Sequence, residues 1–256
     1  MRRLILEDPF SRSAIWSRNL AVFALLVAII GIALARRGLD PTAALAIVGG
    51  AMAIAGLSIL FAFVAMIVIW NKGYRGIGIA VGGLVLSGLL LAYPAYLAVQ
   101  ARTVPPAADL STNLDDPPQF MTTDKAREAR HGHVPGPMTA AAKALETKAY
   151  PDLDTLTIDD DVDAVFAKVR KIVHRRHWQI VDEIDPSDAA PGRIDVIAKT
   201  LVMGFPADLV IRIAQSGDQT LVDVRSVARA GWQEPGSNAA RIQSLIDEID
   251  AATSRS

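Results

Sequence analysis

The sequence predicts a membrane-anchored α+β protein: three transmembrane helices, then a soluble domain in which a four-stranded antiparallel sheet is covered on one face by helices. Three observations carry this. First, residues 19–35, 42–70 and 77–99 contain no Asp, Glu, Lys or Arg, and a bilayer core about 30 Å thick is crossed by roughly 17 to 25 apolar residues at 1.5 Å each. Second, residues 100–118 are rich in Pro and Asp, with pairs at Pro105-Pro106 and Pro117-Pro118 and no apolar period, the composition of a partly extended tether. Third, the apolar period downstream is helical, then two-residue, then helical again. The expected division is therefore a membrane domain at 1–99, a linker at 100–118 and a soluble domain at 119–256.

Bulk composition narrows the function. A remainder of ordinary domain size buries a core without staples. The net charge of −1 offers no basic surplus for nucleic acid. Cysteine is absent, which excludes a thiol nucleophile, a disulfide framework and thiolate zinc sites.

Orientation follows the basic residues flanking the spans. Arg2, Arg3, Arg12 and Arg18 precede the first span, and Lys72 and Arg75 lie between the second and third. Arg36, Arg37 and Arg102 fall to the other side. The balance predicts an N-terminus in the cytoplasm and a soluble domain outside, which is the periplasm if the source is a Gram-negative bacterium. Trp16, Trp70, Tyr74, Tyr93 and Tyr96 sit near span ends, where amphipathic rings favour the headgroup zone. A rival reading, in which Ala33-Leu34-Ala35 precedes a signal-peptide cleavage site, leaves the domain outside as well.

The spans hold no ionisable group for a proton or ion path. They hold small residues instead: Gly78 and Gly82 as a GxxxG, Gly83 and Ser87 one position over, and Gly49, Ala53 and Gly56 on the second span. Such residues let helix backbones approach closely. The expectation is packing among the chain's own helices, with a homo-oligomer through Gly78 and Gly82 as the alternative. Pro94 is expected to kink the third span near its end.

In the soluble domain a helix is expected at 138–149. A second follows Thr157 and Asp160 as an N-cap pair, with Val162, Val165, Phe166, Val169, Ile172 and Val173 at helical spacing, ending near His177. Strands are expected at 178–184, 193–200, 209–213 and 221–229, where Ile194, Val196 and Ala198, then Leu209, Ile211 and Ile213, then Val222 and Val224 form an apolar face. A last helix opens near Ser237 or Asn238 with Ile242, Leu245, Ile246 and Ile249 as its stripe. Short connections make the strands antiparallel, with the second sheet face largely polar.

Five stretches then stand out: STNLDDPPQF at 111–120, Tyr150-Pro151-Asp152-Leu153, GRIDVIAKT at 192–200, VDVRSVARAG at 222–231 and GSNAARI at 236–242. Together they resemble the family called domain of unknown function 1499, over roughly residues 110–250. The resemblance implies a bacterial or plastid protein, in some members fused to membrane helices, and implies no activity. One departure is that Gly204-Phe205-Pro206-Ala207-Asp208 keeps a single acid where the family suggests a pair, which weakens any metal site built there.

The strongest polar constellation is Asp208, Arg212, Asp223, Arg225, Ser226, Arg229, Asn238 and Arg241. Of these, Asp208, Arg225, Ser226, Arg229, Asn238 and Arg241 form the candidate anion site, for arginines beside a helix N-terminus suit a carboxylate, a phosphate or a lipid headgroup. Cross-strand ion pairing with an ordinary Asn cap is the structural alternative. His174 with His177, and His131 with His133, lack a third metal ligand nearby, and Asp182, Glu183, Asp185 and Asp188 read as an exposed loop. No catalytic residue, metal or cofactor is expected, since no short enzyme motif occurs. The function expected is a periplasm-facing binding or scaffolding protein of the cell envelope. Its partners would be the bilayer, envelope proteins, an anionic small molecule or a lipid headgroup. The alternative is a motif-less envelope enzyme acting on an anionic substrate through Asp and Arg.

Overall fold

The computed structural model describes residues 9–105, 107–229 and 235–254. Arg2, Arg3, Pro106 and the end of the VDVRSVARAG stretch lie outside the described residues. The chain divides into two compact units, one ending at Val99 and one beginning at Gln100.

The first unit contains α1 (Arg12–Arg36), α2 (Pro41–Lys72) and α3 (Ile77–Thr103), which runs on into the second unit. All three are long and apolar enough to cross a membrane. The Asp40 side chain accepts the N–H groups of Thr42 and Ala43, and Pro41 occupies the first turn of α2, where a missing N–H costs nothing. Gly73 ends that helix in the left-handed conformation, φ 67°. Helix α1 buries Ala14, Ser17, Ala21, Ala24, Ala28, Gly31 and Ala35, a seam at three- and four-residue spacing, against a matching seam of Ala44, Val48, Ala51, Ala55, Ser58, Ala62 and Ala65 on α2.

Helix α3 joins at Ala80, Gly83 and Ser87. A Cβ on Gly83 would stand 2.3 Å from Ser17 Oγ and 2.9 Å from the backbone nitrogen of Arg18, so only glycine permits this crossing. One serine from each helix meets there: Ser87 Oγ donates to Ser58 Oγ at 2.9 Å, and Ser58 Oγ donates to the Ser17 carbonyl at 2.8 Å. The expected small-residue packing is thus realised by Gly83 and Ser87. It is not realised by Gly49, Gly56, Gly78 or Gly82, where an added Cβ meets nothing within 4 Å, nor by Ala53, which is exposed. Helix α3 continues through Pro94 without a break.

The second unit is an antiparallel sheet of six strands rather than four. Its strands are β1 (Asp109–Ser111), β2 (Leu156–Ile158), β3 (Gln179–Ile184), β4 (Gly192–Lys199), β5 (Pro206–Ser216) and β6 (Gln219–Ala228). The order is β1-β6-β5-β4-β3, with β2 also on β6. The two unforeseen strands have three residues each, too few to show a period. Strand β1 falls within the stretch expected to be a tether: Asp109 to Ser111 pair with β6, and Leu110, Ser111 and Thr112 are buried.

Helices α4 (Asp124–Ala129), α5 (Ala140–Ala149), α6 (Val162–Arg175) and α7 (Ser237–Thr253) complete the unit. The cap of α6 is Asp161, whose carboxylate accepts from Asp163 and Ala164, while Thr157 lies in β2. On one sheet face Ile194, Val196, Leu209, Ile211, Ile213, Val222 and Val224 pack against Val165, Phe166, Val169 and Ile172 of α6 and Ile242, Leu245 and Ile249 of α7. That is the core, and its strand pattern is the one the sequence predicts. The opposite face is polar but not open. Residues 112–139, carrying α4, cross it, and Met121 and Ala126 pack there on Val181 and Ile197.

Candidate functional site

Strand register decides which predicted site residues meet. Directly opposed residues in an antiparallel ladder share a face, and Asp195, Val210 and Arg225 stand in one row, with Ile197, Asp208 and Val227 in the next. Asp208 and Arg225 are therefore on the polar face. Ser226 opposes Leu209 and lies on the core face with Asn238. The six residues of the candidate anion site are divided between the two sides of the sheet and do not converge.

On the polar face the charges pair with one another under cover. Arg130 donates from Nε to Asp208 Oδ1 at 2.9 Å and from Nη2 to Asp195 Oδ2 at 2.7 Å, and all three side chains are fully buried. Arg229 grips the same Asp208 with Nε and Nη2, at 2.5 and 2.6 Å. Arg225 makes a two-point contact with Asp109, 2.8 Å at each oxygen, and donates to the carbonyls of Gly136 and Pro118. The Phe120 ring lies 5.3 Å from the Arg130 guanidinium carbon and 5.4 Å from that of Arg225, so one aromatic ring faces both cations. Arg212 bridges Asp223 and the more exposed Asp116, while Thr155 donates to the other oxygen of Asp223. Burial pushes the Asp195 carboxyl above its ordinary range, outweighing the Met121 N–H and the Arg130 and Arg193 charges that favour its ionised form. Its Oδ1 atom is buried and has no hydrogen-bond partner among the described residues.

On the core face Asn238 does not cap α7. That position belongs to Gly236, left-handed at φ 72°. The Asn238 amide instead donates to the carbonyls of Ala107 and Ala108, and its oxygen accepts from Ser226 at 3.2 Å and Arg241 at 2.7 Å. Its job is to hold the chain entering β1 against the start of α7.

Near the outer edge of β1, the buried Glu146 of α5 accepts the Ser111 N–H with both oxygens, at 3.0 and 3.1 Å. Burial, against the pull of that N–H and helped by the charge of Asp109, raises its pKa from 4.5 to about 7. Two surface grooves flank the sheet. One lies between α6 and Asp185-Pro186, and the other is lined by Asp159, Asp160, Asp161, Gln215, Ser216, Asp218 and Gln219; neither includes any of the six predicted residues. Among the described residues no three His, Asp or Glu side chains are grouped as metal ligands. Asp182 and Glu183 belong to β3 rather than to a loop, with Asp182 tied to Thr123 and Lys125 and Glu183 to Arg170.

Sequence reasoning missed Arg130, Asp195, Phe120 and Glu146. Asp195 had a signal, for it is the one acid inside the apolar GRIDVIAKT strand. Arg130 and Glu146 had none, since each follows or sits within a short helix whose exposed positions look alike in sequence.

What fold and site define together is a domain whose buried charges clamp its own segments, preceded by apolar helices of membrane-crossing length. The chain belongs to the family described as protein of unknown function (DUF1499), whose profile matches residues 109–249. No curated protein matches the chain.

Proposed function

We propose that this protein is a membrane-anchored binding or scaffolding module of the bacterial envelope. Its N-terminus lies in the cytoplasm and its C-terminal domain in the periplasm. The observation that carries this reading is the use to which the polar face is put. Asp208 is held by two arginines, Asp223 by Arg212 and Thr155, and Arg225 by Asp109 and two carbonyls. Groups so engaged fix chain segments in place, and recognition falls to the outer surface. The alternative, an envelope enzyme using Asp208 or Asp223 as a base, has less support because both carboxylates are already committed to arginine.

The orientation rests on Arg2, Arg3, Arg12 and Arg18 ahead of the first apolar run and on Lys72 and Arg75 between the second and third, and the segment entering α1 is tied to the α2–α3 connection, Ser11 N–H donating to the Arg75 carbonyl at 2.9 Å. Envelope proteins, an anionic small molecule and lipid headgroups are the partner classes proposed. A homo-oligomer through Gly78 and Gly82 has the support that neither glycine is taken up in the chain's own packing. Alkaline phosphatase fused after Ser256 is expected to be active, and activity confined to a cytoplasmic reporter at that position overturns the orientation. Pull-down of the domain from native envelope is expected to retain a stoichiometric protein or lipid. Turnover of an anionic compound that is lost in Asp208→Asn or Asp223→Asn variants with unchanged stability would favour the enzyme.

A further inference from the structure

The two ends of the sheet differ in chemistry. At one end the β5–β6 turn at Gly217-Asp218, the chain leaving β2 at Asp159, Asp160 and Asp161, and the β3–β4 connection with Asp185 and Asp188 gather acidic side chains. The other end carries the β4–β5 turn at 200–205, preceded by the exposed Lys199 and free of acid. The chain arriving from α3 enters at this second end: Ala228 N–H donates to the Ala108 carbonyl, and Ala228 is opposite Ala207, next to Pro206.

That turn is built to present one apolar side chain. Thr200 N–H donates to the Phe205 carbonyl, Phe205 N–H to Thr200 Oγ1 and Gly204 N–H to the Thr200 carbonyl, with Gly204 at φ 72°. Met203 and Phe205 fold inward and are buried, while Leu201 is 86% exposed, more than any other large apolar residue described in the second unit. The closed hydrogen-bond ring fixes the turn in advance, so ordering it on contact costs little entropy. Only residues 104–108 separate α3 from β1, a chain length that spans about 20 Å at most.

We propose that the β4–β5 turn is a membrane-contact element: Leu201 enters the lipid interface while Lys199 meets anionic headgroups. A connection this short lets the turn reach lipid, and a negatively charged surface would attract Lys199 and repel the acidic end. This rests on the three apolar helices being embedded in a bilayer.

The chain has no native cysteine, so single reporters are made directly in the full-length protein. Leu60→Cys, on the exposed side of α2, Leu201→Cys and Asp218→Cys are labelled with an environment-sensitive fluorophore in nanodiscs of mixed anionic and zwitterionic lipid. Nitroxide-bearing lipid is expected to quench the labels at 60 and 201 several-fold more than the label at 218, and aqueous iodide to do the reverse. A label at 201 that behaves like the one at 218, while 60 is quenched from the lipid, overturns the contact element alone. Loss of lipid quenching at all three positions overturns the membrane anchoring together with it.

Discussion

Arg130 holds two fully buried carboxylates at once. Removing it leaves Asp195 and Asp208 buried with one guanidinium fewer between them, and breaking a buried pair from one side costs about 3 to 5 kcal/mol. Arg130→Ala is therefore expected to lower the denaturant midpoint of the soluble unit sharply, whereas Arg241→Ala, which removes a partly buried contact to an amide, is expected to cost about 1 kcal/mol. Equal losses from the two, measured by urea unfolding, would show that the polar face contributes no more than an ordinary surface contact. Glu146 gives a pH signature. Its pKa is raised from 4.5 to about 7 by burial, so the folded state keeps a proton that the unfolded chain has released. The stability it contributes is whole below about pH 4.5 and is lost as the pH rises toward 7, amounting to about 3 kcal/mol at most. Glu146→Gln is expected to flatten the fall in stability between pH 5 and 7.5, and a slope identical to that of the unaltered protein refutes the assignment. Asp195, whose carboxyl is also raised by burial, acts in the same direction.

Among the elements, β1 is the one whose weight exceeds its length. It is three residues long, yet it covers the edge of β6, places Asp109 on Arg225 and is itself held by Glu146. A soluble fragment beginning at Gln100 is expected to unfold cooperatively by circular dichroism, and one beginning at Thr112 to melt broadly or aggregate through the exposed β6 edge. Equal cooperativity in the two fragments would strip β1 of this role. The same strand marks how far sequence reading reaches. Strands β4, β5 and β6 and helices α6 and α7 were legible because each alternates or repeats over enough residues to define one buried face. Strand β1 lies among Pro and Asp residues, and its structure comes from the partner across the ladder rather than from its own pattern. The residues of the candidate site are divided for a related reason: Arg225 and Ser226 are neighbours in sequence, and in a strand neighbours point to opposite faces. Nearness to Asn238 along the chain carried no information about sides.

The whole molecule is assembled by two opposite packing rules. In the first unit the seam between helices is made of Ala, Ser and Gly, and Phe23, Leu26, Leu60, Phe63 and Ile67 point outward, as expected where lipid is as apolar as the side chains and close backbone approach drives association. In the second unit the branched apolar residues are inside and the small ones are incidental. Strand β1 is the first strand after the last apolar helix, and its partners on β6 lie far down the chain: Asp109 and Arg225 are 116 positions apart. A ribosome delivers β1 early and β6 late, so the strand nearest the last apolar helix has nothing to pair with until nearly all of the domain has been made. Its docking waits on a long loop closure, the kind of contact that slows folding. During that interval the unpaired β6 edge and the uncovered polar face are open to other chains, which makes the period just after synthesis the time when this protein depends most on being kept apart from its neighbours.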